Sequence, residues 1–110
     1  MLFPASHLTE KPRVVITGAG IITALGIGWR TNLEGFRSGR TAFRPVTLFD
    51  VSRQRVKMAA EIDLPNELPH TLLKRKAERR LERAGKMLLL AAEEAWKQSG
   101  WKPSDNIPIV

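Results

Sequence analysis

Gly18 and Gly20 flank Ala19 directly after a β-branched run, Val14, Val15, Ile16 and Thr17. A strand that feeds a glycine turn can hold a phosphate, because the missing side chains let backbone N–H groups approach an anion. The dinucleotide fingerprint, however, needs a third glycine, and Thr23 stands there. It also needs an acidic residue at the end of a second strand about twenty residues on, and neither Glu34 nor Asp50 has that context. No Gly-Lys-Ser or Gly-Lys-Thr follows, so a P-loop is excluded more firmly. The pattern favours glycines that let the chain turn tightly as it leaves a strand. His7 and His70 stand apart from any partner at metal-ligand spacing, so no metal site is expected. The chain has no cysteine, which removes a disulfide framework, a thiolate zinc site and a cysteine nucleophile from the residues in view. Asp50 and Glu61 fit turn or strand-edge roles, and no carboxylate pair suggests acid–base chemistry.

The second chemical feature is charge. The 110 residues carry 18 Lys and Arg against 11 Asp and Glu, a formal net charge of +7. Nucleic acid, an anionic membrane or an acidic protein are the partners that such a charge attracts. Much of the excess lies in one segment. Leu73, Ala77, Leu81, Ala84, Leu88, Ala91 and Ala95 recur at three- and four-residue steps and draw an apolar stripe along a helix expected from Leu72 to Gln98. At about 100° per residue, Arg75, Lys76, Arg79, Arg80, Arg83 and Lys86 fall within an arc of roughly 140° on one flank of that stripe. Glu78 and Glu82 fall on the other, with Glu82 and Lys86 at a spacing that allows a pair. The basic flank is either a solvated face or a docking surface for an acidic partner.

The elements that would position these residues follow from the same patterning. Arg13–Thr17 reads as a buried strand. Trp29, Leu33 and Phe36 mark a short helix over 29–37, closed by Gly39. A weak strand is expected within Arg55–Ile62. The long helix stops at Ser99-Gly100, where glycine suits a left-handed residue. Trp29, Trp96 and Trp101 sit at helical apolar positions or just past a helix end, where packing is the ordinary role. The final Asn106–Val110 reads as a strand beginning, which predicts a truncated chain whose further strands lie beyond Val110. Residues 1–12 read as a flexible lead-in without a signal-peptide core, and 13–110 as one incomplete α/β unit. No segment is long enough to span a membrane, and a cytoplasmic location is expected.

"RVVITGAGIITALG", then "LEGFRSGRTAFRPVTLFD", "KMAAEI" and "RKAERRLERAGKMLLLAAEEAWKQSG" occur in order from Arg13 onward. Together they resemble the N-terminal portion of the β-ketoacyl-acyl carrier protein synthase family, the condensing enzymes of fatty acid and polyketide synthesis. Ala24 stands where that family often has proline, and Ala60 where it often has glycine. The resemblance implies the N-terminal part of a thiolase-like α/β fold, an incomplete sheet packed by a long helix, in which the glycine turn is structural and binds no nucleotide. It implies decarboxylative condensation by a cysteine and two histidines, all of them beyond this segment; His7 and His70 do not match them. No catalytic residue, cofactor or metal ligand is therefore expected within the 110 residues, and the chain alone is expected to be inactive. In several members, basic residues at the start of the long helix dock the acidic acyl carrier protein. Lys76, Arg79 and Arg80 match those positions, with Arg75 adjacent. The resemblance implies a homodimeric parent, with no nucleic-acid or membrane partner. Two other readings stay open: a small nucleic-acid-binding module built on the basic helix, which lacks a recognisable base-reading motif, and a complete, noncatalytic carrier-protein binder.

Overall fold

The structure, a computed structural model, describes residues 11–68 and 75–102. Among these described residues the order is hairpin, helix, hairpin and two further helices, both hairpins being small and antiparallel. Strand β1 (Ile22–Thr23) pairs with β2 (Gly26–Ile27), with Ile22 opposite Ile27 and Thr23 opposite Gly26. Helix α1 (Trp29–Arg37) follows at once. Strand β3 (Arg44–Pro45) pairs with β4 (Met58–Ala59). The chain then enters a five-residue helix α2 (Arg75–Arg79) and the 17-residue helix α3 (Arg83–Ser99).

Helix α1 has the bounds that its apolar spacing predicts. Gly39 follows it with φ 65°, and Gly100 follows α3 with φ 72°; both are left-handed stops that an L-side chain would strain. Of the expected Arg55–Ile62 strand, only Met58 and Ala59 are paired. Two expectations are corrected. Arg13–Thr17 forms no strand and is not buried: Val14 is 93% and Ile16 89% exposed. β-branched residues supply strand propensity, but a ladder needs a neighbour, and none of the described residues provides one. The helix expected from Leu72 to Gln98 is two helices, interrupted over residues 80–82. Its start, Leu72–Lys74, lies outside the described residues, as do Asn106–Val110, His7 and His70, and all but the last two residues of the 1–12 lead-in.

No hydrophobic side chain among the described residues is fully buried. The most enclosed side chains are polar. Asn32 is 1% exposed and Glu61 7%, and each ties a loop to its own hairpin. Asn32 Nδ2 donates to the carbonyls of Gly26 (3.0 Å) and Gly28 (2.8 Å), while its Oδ1 accepts from the Thr23 hydroxyl. One helical side chain thereby fixes α1 against the β1–β2 hairpin.

Candidate functional site

Helix α3 lies across the glycine turn. An added Cβ on Gly18 would run into the Ala95 carbonyl, and one on Gly20 into the Ala91 carbonyl. The close approach therefore needs glycine on the turn, and Ala91 and Ala95 keep the facing helix surface low. The same face of α3 supplies acceptors to the turn. Gln98 Oε1 accepts from the Ala19 N–H at 2.7 Å. Glu94 Oε2 accepts from the Ile21 N–H at 2.9 Å, and its Oε1 from the Trp29 N–H at 2.6 Å. Trp29 opens α1, so the Glu94 carboxylate lies where an anion at that helix N-terminus would bind. The amides of Ala19, Ile21 and Trp29 are thus held by the chain's own side chains, and the geometry makes this turn a helix-packing joint.

Sequence reasoning missed Glu94, Gln98 and Asn32. The available signal was Ala91, Glu94, Ala95 and Gln98 at helical spacing: two small residues beside two side-chain acceptors on one face, matching a turn with two glycines.

A second joint lies on the β3–β4 hairpin. Glu61 accepts from the Thr47 N–H (2.9 Å), the Thr47 hydroxyl (2.9 Å), the Leu48 N–H (3.1 Å) and Arg44 Nε (3.2 Å). The Thr47 N–H chiefly holds its carboxyl below the usual carboxylate range, against the opposing effect of burial. Arg44 reaches on to Asp63 through both terminal nitrogens, at 2.9 and 2.6 Å, and that bond lowers the Asp63 pKa. Asp50 accepts from the Ser52 N–H and hydroxyl, a turn role of the kind its sequence context suggests. These carboxylates have structural partners and are not free for acid–base work.

The basic flank is divided by the helix break. Arg75, Lys76 and Arg79 sit on α2 and Arg80 just past it, all four exposed. None forms an ion pair with an acidic side chain among the described residues. Arg83 and Lys86 belong to α3. Arg83 Nη2 donates to the Ile62 carbonyl at 2.6 Å, which ties the start of α3 to the second hairpin. Glu82 and Lys86 do not pair; the intrahelical ion pair of α3 is Lys97–Glu93, at 2.6 Å. Arg79 and Lys86 line one cavity of about 410 Å³ together with Pro65–Leu68 and Glu78. The break thus distributes the cations over two elements where the periodicity predicts one continuous arc.

Comparison with known proteins agrees with this arrangement of motifs. Residues 11–107 match the family model described as Beta-ketoacyl synthase, N-terminal domain. The tetracenomycin polyketide synthase ketoacyl synthase alpha subunit of Streptomyces glaucescens is 37% identical over 94 residues, covering 86% of this chain and 22% of that protein. The 3-oxoacyl-[acyl-carrier-protein] synthase 2 of Coxiella burnetii is 33% identical over 103 residues, covering 92% of this chain and 24% of that protein. A protein of the same name from Synechocystis is 33% identical over 87 residues, covering 78% of this chain and 20% of its own length. The chain spans about a fifth to a quarter of the length of these curated relatives. With nearly all of its length from Lys11 onward accounted for, the chain belongs to the β-ketoacyl synthase family, of which it carries the N-terminal domain sequence.

Proposed function

We propose that this chain is the N-terminal part of a ketosynthase of thiolase-like α/β fold, acting in fatty acid or polyketide synthesis, and that it docks an acyl carrier protein through Arg75, Lys76, Arg79 and Arg80. The parent reaction is decarboxylative condensation of an acyl thioester with a malonyl-carrier protein. That chemistry needs a thiolate to hold the acyl group and donors to stabilise developing negative charge. The 110 residues contain no cysteine, so the nucleophile has to come from elsewhere in the parent, which we take to be a homodimer. The part assigned to this chain is scaffold and recognition.

One observation carries the docking role. Four cations are exposed on and beside a single short helix, without acidic partners among the described residues. Such a cluster keeps its field available to an incoming acidic surface. Arg79→Glu is expected to weaken acyl carrier protein binding by about 1 to 3 kcal/mol, the range for a well-placed charged contact. Isothermal calorimetry at two salt concentrations measures it, with wild-type affinity falling as salt rises. Equal carrier-protein affinity in the two proteins would leave the cluster as an ordinary solvated face. A loss confined to oligonucleotide binding would favour a nucleic-acid module.

A further inference from the structure

Residues 80–82 break a helix that their own types favour. Arg80, Leu81 and Glu82 are all good helix formers, and neither glycine nor proline lies among them. Even so, the ladder fails there. Arg80 and Leu81 donate to carbonyls three residues back, those of Ala77 and Glu78, each at 3.1 Å. The first regular rung of α3 is the Lys86 N–H to the Glu82 carbonyl, at 3.1 Å. The amides of residues 82 to 85 reach no backbone acceptor among the described residues, and the Glu82 side chain makes no capping bond. The first turn of α3 contains no acidic residue and begins with Arg83, a cation at the positive end of the helix dipole. Helix α3 therefore starts in an unfavourable way, although joining it to α2 would supply the carbonyls of residues 78 to 81 as acceptors.

The charges account for what opposes that joining. Arg75 and Arg79 already face each other within α2; a continuous helix would add like-charge pairs across the break, Arg79 with Arg83 and Glu78 with Glu82 at i,i+4 and Arg80 with Arg83 at i,i+3, against one new opposite pair, Arg79 with Glu82. We infer that mutual repulsion among these cations holds the helix open at Arg80–Glu82, and that an acidic helical surface laid on the basic cluster closes it into one helix from Arg75 to Ser99. The occupant is set by charge complementarity: negative charges along a helix neutralise cations that lie on both sides of the break. The inference rests on the docking reading for its partner but not for the origin of the break. It makes docking a helix-completing event, in which the partner relieves a repulsion the free chain bears.

Amide hydrogen exchange of the full chain, followed by NMR at residues 82 to 85 with Leu88–Leu90 as internal reference, tests both parts. Raising salt from about 0.01 M to about 1 M shortens the Debye length from about 30 Å to about 3 Å. Without any partner, this should slow exchange at residues 82 to 85 by about fivefold relative to the reference, given the modest energy of each like-charge pair. Acyl carrier protein at low salt should produce the same change, while poly-lysine should not. Arg79→Glu converts the repulsive pair that spans the break, to Arg83, into an attractive one. It should slow exchange at low salt without a partner while weakening carrier-protein binding, and Arg79→Gln should give a smaller shift in the same direction. Unchanged exchange at high salt and in both variants overturns the inference, as does carrier-protein binding that leaves residues 82 to 85 exchanging as before. Salt-induced protection without any carrier-protein binding overturns the docking reading and supports a charge-held break.

Discussion

Asn32 shows how one side chain can do the work that an apolar core does elsewhere. Its amide nitrogen donates to two carbonyls of the chain entering α1, and its oxygen takes the Thr23 hydroxyl from the β1 strand. It is almost wholly enclosed. Removing it leaves buried carbonyls and a hydroxyl without partners, and the cost of such groups exceeds the net worth of the bonds lost. Asn32→Ala is expected to destabilise the β1–β2–α1 unit by about 2 to 4 kcal/mol, summing two or three such groups. Asn32→Asp keeps the oxygen acceptor but loses the donor and places a charge beside two carbonyls, so it should not rescue. Chemical denaturation followed by Trp29 fluorescence checks the order: wild type most stable, both variants well below it. A stable Asn32→Asp protein would show that the amide donor is dispensable.

At the scale of elements, helices are legible where their determinants are local. The spacing of Trp29, Leu33 and Phe36 marks α1, and Gly39 and Gly100 stop α1 and α3 because they occupy left-handed backbone. The break after Arg79 is not local in that sense. Each residue there favours helix, and on the inference above the interruption comes from like charges set three and four residues apart across it. The strand expected at Arg13–Thr17 illustrates the opposite limit: its composition is legible, but pairing depends on strands that composition cannot supply. Of the candidate sites, the basic residues are legible by type and spacing; the occupancy of the glycine turn by Glu94 and Gln98 shows only as a helix face spaced to match it, since those residues lie 73 and 79 positions from the turn amides they hold. The β3–β4 hairpin adds a prediction. Its loop is held by the Glu61 carboxylate, and Asp63 anchors Arg44 beside it. Both carboxyl groups have pKa values lowered in the fold. Their stabilising effect is therefore complete above the unfolded values near pH 4 and is lost as pH falls below them toward the folded values. Amide exchange at Thr47 and Leu48 should be insensitive to this effect from pH 7 to 5 and should accelerate beyond the intrinsic trend below about pH 4. Glu61→Gln should remove most of that acid sensitivity while lowering the protection at neutral pH. Acid sensitivity that persists in full in Glu61→Gln would place the titration elsewhere.

The whole molecule has a different problem from its parts. Polar joints at Asn32, Glu61 and Glu94 give each unit a defined geometry, yet no apolar side chain among the described residues is fully buried. Folding free energy comes chiefly from removing apolar surface from water, and it must offset chain entropy of similar size. A chain with this burial is expected to be marginally stable by itself. Its exposed apolar surface also has a defined location. Val14, Val15 and Ile16 are consecutive, 70% or more exposed, and unpaired. An unpaired apolar segment of high strand propensity is a template for edge-to-edge association. Self-association of the isolated chain should therefore begin at this segment and not at the basic cluster, where like charges repel. Ile16→Lys places a charge on the segment in the manner of natural edge protection. Light scattering over a concentration series should show the wild type growing in apparent mass and the variant remaining small. Circular dichroism should stay the same, because Ile16 is 89% exposed, and carrier-protein affinity should be unchanged, because the cations proposed for docking lie on or beside α2. Equal association in the two proteins would move the sticky surface to α3 and its neighbourhood, where Leu88 and Trp96 are also exposed, and Leu88→Lys would then be the substitution that suppresses it.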